Sequence, residues 1–338
     1  MAKRSNAPWP AGLWRKDLGD AVTDVDELLR LLDLDDGSLA ATPSALRGFP
    51  LRVPRAFVDR MGCGDPADPL LRQVLPVAKE DESVSGFTED PVGELLSSPV
   101  DFVLHKYQGR ALMIVTGACA VHCRYCFRRH FPYAEAGTAT PDWDGAVDRI
   151  ASDPTISEVI LSGGDPLAMT DSQLEVLGRK LAALPYLERL RIHTRLPIVL
   201  PRRVDGALTS WIGGLGLPTI VVVHANHANE IDDDVRRALA ALAATGVTLL
   251  NQAVLLAGVN DSVDALSDLS ESLFASGVLP YYLHMLDPVS GAAHFAVSDD
   301  EAKRLHAEVS ALLPGYLVPR LVRELPGAPA KVGVDLWR

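Results

Sequence analysis

Between residues 105 and 315 the chain repeats one unit six times, a short apolar run followed by an amphipathic stretch, and this alternation restricts the fold more than any other feature. The runs are 111–115, 158–161, 189–193, 219–224, 248–255 and 279–284. The Ala- and Leu-rich stretches between them are 143–152, 171–183, 204–212, 232–244 and 263–275, and a last helix over 298–313 follows the sixth run. Strand and helix alternating across short turns predict parallel βα units wound right-handed. Runs apolar enough to be buried on both faces extend this to a partial (β/α)6 barrel. In that architecture chemistry belongs at the carboxyl ends of the strands. The unusual polar residues fall there: a cysteine loop after the first run, Ser162-Gly163-Gly164-Asp165-Pro166 after the second, His193-Thr194-Arg195 after the third. His224-Ala-Asn226-His227 follows the fourth, Asn251 and Gln252 lie in the fifth, and His284 with Asp287 ends the sixth. One site on one side of the barrel accounts for the pattern.

Outside the repeat, residues 1–104 are expected to form a mainly helical extension, with one clear helix over 24–34. There Leu28, Leu29, Leu31 and Leu32 make a stripe, and Thr23 and Asp24 offer capping oxygens. A Pro- and Asp-rich loop over 64–69 leads into a short buried segment, 70–76. Residues 105–315 form the core, and 316–338 a C-terminal segment.

The first loop reads Cys119-Ala-Val-His-Cys123-Arg-Tyr-Cys126. Three thiolates this close can hold an iron–sulfur cluster with one iron left open. A closed zinc site would need a fourth ligand, His122 or His130, and unligated thiols are the remaining reading. Cys63 stands apart between Gly62 and Gly64 and reads as an inert thiol. Four cysteines in 338 residues do not make a disulfide framework. A net charge of −12 argues against a nucleic-acid surface, so the basic run at Arg128 and Arg129 is better matched to a small anion. No apolar stretch approaches the roughly 20 residues of a membrane span, and the N-terminus lacks a signal-peptide core; a cytoplasmic protein is expected.

C-x3-C-x2-C after the first strand, with Gly-Gly-Asp-Pro after the second, resembles the radical S-adenosylmethionine enzymes. The resemblance implies a [4Fe-4S] cluster on Cys119, Cys123 and Cys126 whose open iron takes S-adenosyl-L-methionine. It also implies that Ser162, Gly163, Gly164 and Asp165 hold the methionine amino group, with His224 and Gln252 near the nucleoside.

Longer strings narrow the match. Arg124-Tyr-Cys-Phe-Arg-Arg-His, Leu161-Ser-Gly-Gly-Asp-Pro-Leu, His224-Ala-Asn-His-Ala-Asn-Glu, Leu250-Asn-Gln-Ala-Val-Leu-Leu and Pro280-Tyr-Tyr-Leu-His are together similar to the lysine 2,3-aminomutase family. Leu51-Arg-Val-Pro-Arg, Asp68-Pro-Leu-Leu-Arg-Gln-Val-Leu, Phe127-Arg-Arg-His-Phe-Pro-Tyr133 and Gly291-Ala-Ala-His-Phe295 resemble its branch making (R)-β-lysine for modification of elongation factor P. The resemblance implies an isomerase that also uses pyridoxal 5′-phosphate, held by Lys331, with Lys106 and Arg110 at its phosphate. It implies Arg128 at the carboxylate of an L-lysine substrate, Asp287 and Glu324 at the ε-ammonium, and an external one-electron reductant. The link to elongation factor P and its lysine ligase is functional and requires no direct contact; a homo-oligomer stays open. Two positions depart from the pattern. Glu324 stands where the free-lysine enzymes carry Asp, and Val332-Gly333 stands where Thr-Pro often follows the lysine. Other readings are a free-lysine aminomutase making (S)-β-lysine, an iron–sulfur electron-transfer or sensing protein, and a zinc-stabilised binding module.

Overall fold

Among the described residues nine strands form one sheet in sequence order, and the first and last do not pair, so the sheet is open. The computed structural model describes residues 9–34, 43–94, 102–133 and 143–334. The strands are β1 (Val103–Tyr107), β2 (Arg110–Thr116), β3 (Glu158–Gly163), β4 (Arg189–Thr194), β5 (Thr219–Val223), β6 (Thr248–Val254), β7 (Leu279–His284), β8 (Arg320–Arg323) and β9 (Val332–Gly333). Strands β2 through β8 run parallel, while β1 and β9 pair antiparallel at the two edges. The six expected runs are β2 to β7, and the sheet is the open (β/α) type that the alternation predicts.

A seventh parallel strand, β8, joins β7 through Leu283↔Leu321, beyond the six units expected. It contains only two buried apolar residues, Leu321 and Val322, too few to stand out by periodicity. The expected boundary at 104 falls inside β1.

The helices form where a polar cap precedes an apolar stripe. Ser262 caps Val263–Ala275 by accepting from the amide of Ala265, and Leu266, Leu269 and Leu273 bury one face. Thr170 and Gln173 make a reciprocal capping box on Asp171–Ala182. The helix expected over 204–212 is Gly206–Gly213, because Asp205 caps it while Pro201–Arg203 forms a 3₁₀ turn. The one expected over 24–34 is Val25–Leu31, capped by Asp24 and ended before Asp33 adopts φ 58°.

The N-terminal extension packs directly on the barrel. Trp14, Leu28, Phe57 and Leu71 belong to the same continuous core as Val159, Ile192, Val221 and Leu321. Each such burial contributes ~1.5–3 kcal/mol, against ~0.5–1.5 kcal/mol net for a hydrogen bond, so apolar packing is the main fastening. Among the described residues, no helix is long and apolar enough to cross a membrane.

Candidate active site

Loops leaving the carboxyl ends of β2 to β8 surround one cavity of about 550 Å³, within the range typical of small-molecule sites. Every expected site residue whose side chain is described lines it: Cys119, Cys123 and Cys126, the Ser162–Asp165 loop, Arg110, Arg128, His224, Gln252, Asp287, Glu324 and Lys331. Lys106 lies on β1, and its side chain is outside the described residues. Cys63 is exposed and takes no part in the cavity.

The cysteine loop is braced from behind by the extension. The amides of His122 and Arg124 donate to the carbonyls of Arg52 and Gln73, both at 2.9 Å. Arg124, fully buried, donates to Glu80 Oε1 at 2.8 Å and to the Phe49 carbonyl at 2.6 Å. The three thiols are free. Burial pushes Cys119 well up and Cys126 to about 11, so a metal centre must displace protons to bind. Among the described residues, no three His, Cys, Asp or Glu side chains converge as one metal ion would require. His122 Nδ1 lies 2.8 Å from the Pro50 carbonyl and His130 Nε2 lies 3.1 Å from that of Ser290. Three thiols in one loop, all lining the cavity, fit a [4Fe-4S] cluster, which Cys119, Cys123 and Cys126 would hold.

The glycine loop lies against the cysteine loop at backbone contact. Gly164 N donates to the Thr116 carbonyl at 2.7 Å, and Asp165 N to that of Ala118 at 2.8 Å. A Cβ on Gly164 would stand 2.4 Å from the Ala118 oxygen, and one on Gly163 (φ +119°) 2.5 Å from that of Thr116. Only glycine allows this approach. The Asp165 carboxylate accepts from Thr194 Oγ1 (2.7 Å) and from the amides of Arg195 (2.7 Å), Leu167 (3.0 Å) and Leu196 (3.2 Å). Burial raises its pKa and these donors oppose the rise. Asp165 thus ties β3 to β4, and its carboxylate is committed to protein donors.

Arg128 sits between the two loops. It donates through Nε and Nη2 to both oxygens of Glu94, at 2.7 and 2.8 Å, and through Nη1 to Ser162 Oγ (2.9 Å) and the Gly163 carbonyl (3.1 Å). Burial opposes its charge, but the Glu94 carboxylate outweighs that and holds the guanidinium firmly protonated. Of five N–H donors these contacts use four, leaving one on Nη2 for a ligand. Tyr133 completes the corner by donating to the Gly163 carbonyl at 2.8 Å.

Three histidines line the barrel mouth. His193 and His224 meet edge to face at 5.8 Å, and Tyr282 and His284 at 5.5 Å. Burial, reinforced by neighbouring cations, lowers all three, His224 to about 4, so the rings are neutral near pH 7. The Nε2 atoms of His193, His224, His284 and Gln252 are buried without a protein partner. An unsatisfied buried polar atom costs ~1–3 kcal/mol, so four on one cavity fit a polar ligand such as a nucleoside or cofactor.

Beside Tyr282, Lys331 Nζ donates to Glu324 Oε2 at 2.9 Å and lies 5.9 Å from the Tyr282 ring centroid. Tyr107 also hydrogen-bonds Glu324; burial first, then that carboxylate, raises its pKa. Arg110, Arg191 and Arg320 line the same cavity and supply the positive charge that a phosphate needs. The lysine and these cations fit pyridoxal 5′-phosphate by donor type.

Sequence reading missed Glu94, Tyr107, Tyr133, Arg191 and Arg320. Arg191 was discoverable, being two residues before His193 on β4 and so on the same face. Glu94 carried no local signal, since its partner is 34 residues away.

The family profile described as "4Fe-4S single cluster domain" matches residues 108–187. The L-lysine 2,3-aminomutase of Escherichia coli (strain K12) is 52% identical over 324 residues, covering 96% of this chain and 94% of that protein. That of Haemophilus influenzae is 46% identical, covering 94% of each. A radical SAM methyltransferase from Sphaerobacter thermophilus is 17% identical with a TM-score of 0.41, over 65% of this chain and 68% of that one, too slight a likeness to bear on function.

Proposed function

The chain belongs to the lysine 2,3-aminomutase family, and on that premise we propose that it converts L-α-lysine to (R)-β-lysine for modification of elongation factor P. The observation that carries the reaction is the convergence of three free thiols, a glycine loop and a Lys331–Glu324 pair on one cavity.

A [4Fe-4S] cluster with S-adenosyl-L-methionine would supply hydrogen-atom abstraction, and pyridoxal 5′-phosphate a delocalising carrier for the migrating amino group. Cys119, Cys123 and Cys126 would hold the cluster. The Ser162–Asp165 loop, which lines the cavity, and the partnerless Nε2 atoms of His224 and Gln252 would receive S-adenosyl-L-methionine. Lys331 would hold the pyridoxal group, with Arg110 at its phosphate.

The remaining residues orient substrate. Arg128, fixed by Glu94 and Ser162, offers a charged N–H to a carboxylate. Asp287 and Glu324 present carboxylates for an ε-ammonium, and Glu324 already accepts from an ammonium, that of Lys331. The neutral histidines add no charge that would repel it.

Assignment to the elongation factor P branch rests on the four strings 51–55, 68–75, 127–133 and 291–295, the last two of which lie close in space. Arg129, from 127–133, donates to the Gly291 carbonyl at 3.1 Å, and His130 meets that of Ser290 at 3.1 Å, beside 291–295. Anaerobic reconstitution, then incubation with L-lysine, S-adenosyl-L-methionine and a low-potential reductant, tests the reading by chiral analysis. (R)-β-lysine is expected. The (S) form would point to a free-lysine aminomutase, and no 5′-deoxyadenosine would leave an electron-transfer or sensing role.

A further inference from the structure

Arg195 is buried at the end of β4 and is the hub of a network that the proposed reaction does not use. Its Nη1 donates to Cys123 Sγ and to the Tyr125 hydroxyl oxygen at 2.7 Å; its Nη2 donates to Gln73 Oε1 at 2.7 Å and to Glu230 Oε2 at 3.1 Å. The backbone amide of Arg195 is held by Asp165 at 2.7 Å, so the residue is fixed at its backbone as well as at its guanidinium.

Tyr125 adds a second donor. Its oxygen accepts from Arg195 and from Asn226 Nδ2, at 2.7 Å each, which leaves its own hydrogen for the sulfur of Cys123, with which it is hydrogen-bonded. One of the three cysteines thus carries two side-chain hydrogen bonds, one from a full positive charge.

We propose that Arg195, through Tyr125 and Cys123, sets the reduction potential of the cluster. This rests on the cluster reading above. Reduction adds one electron, supplied by a low-potential one-electron donor, and the added negative charge resides on the iron–sulfide core and its thiolates. A guanidinium and a hydroxyl donating to one thiolate stabilise the reduced form more than the oxidised form, so they raise the potential. Glu230, fixed by the amide of Asn226 at 2.9 Å and by Gln73 at 3.1 Å, partly offsets that cation and places the potential between the two extremes.

The test is an anaerobic dye-mediated titration of the cluster, without S-adenosyl-L-methionine, followed by electron paramagnetic resonance, with iron and sulfide measured on each sample. Arg195→Gln is expected to move the midpoint to more negative potential. Tyr125→Phe should move it the same way by less, and Glu230→Gln the opposite way. A purely structural role would lower iron content without this ordered pattern of signs. If Arg195→Gln takes up no cluster, Tyr125→Phe, which removes one oxygen atom, decides. Wild-type midpoints in cluster-loaded variants would overturn the proposal alone, whereas wild-type protein that binds no iron after reconstitution would overturn the cluster reading first.

Discussion

Lys331 and Glu324 face each other at 2.9 Å because the chain reverses between them: Arg323 pairs with Val332 across the antiparallel β8–β9 edge. The two residues named as departures or neighbours of departures therefore lie on one turn. Val332-Gly333 pairs as a strand there, so the loop geometry is set by the ladder.

Removing Lys331 is expected to abolish both β-lysine formation and the visible absorbance of bound pyridoxal phosphate. Glu324→Gln should keep that absorbance but lower kcat/KM for lysine. A hydrogen bond to a charged group contributes ~1.5–3 kcal/mol, which is roughly 10- to 150-fold. Steady-state kinetics and absorbance spectra on the two variants check this, and full β-lysine formation by Lys331→Ala would sink the cofactor assignment.

Arg128→Met should destabilise the fold by about 3–5 kcal/mol, because it breaks one side of a buried, two-point ion pair with Glu94. Arg128→Met/Glu94→Met should recover most of that loss and still fail to bind lysine by calorimetry. Equal lysine affinity in the double variant would mean that the guanidinium does not read the carboxylate.

Gly164→Ala forces a Cβ to within 2.4 Å of a backbone oxygen in the cysteine loop. Overpacking of this kind costs about 1–3 kcal/mol. A lowered Tm and reduced iron retention are expected together, since the two loops must part. Gly246→Ala, with open space around its Cβ but φ +87°, is the control for backbone strain alone; it should lower Tm without changing iron content.

Stability should fall as pH drops from 6.5 toward 4. His224 has a folded pKa of about 4 against an ordinary 6.5, because it is buried, so in this window the unfolded chain binds the extra proton. Stability therefore rises with pH across the window and is lost on acidification. His193 and His284 are lowered in the same direction. Urea midpoints at pH 5 and pH 7 should differ less in His224→Phe than in the parent, and an equal difference would show that this ring does not drive the acid loss.

Much of the site was legible because the chemistry is local in sequence. Cys119, Cys123 and Cys126 lie within eight residues, Gly163 and Gly164 are adjacent, and both groups follow apolar runs that can only be strands of a parallel sheet. Parallel winding itself dictates that such loops gather at one end. The invisible part consists of long-range partners. Glu94 on Arg128, Glu230 and Gln73 on Arg195, and Glu80 on Arg124 are 34 to 122 residues from the arginines they hold.

The sequence by itself determined the strand–helix alternation, the strand ends at which the polar residues gather and the loop that brings three cysteines together, because periodicity and spacing are properties of neighbouring residues. Only the tertiary structure decided the seventh parallel strand, the turn that sets Lys331 against Glu324, and the commitment of the Asp165 carboxylate to β4. It also decided the hydrogen bonds on Cys123. A buried charge takes whichever partner the packing brings within about 3 Å, and burial rather than spacing then fixes how strongly the pair is held.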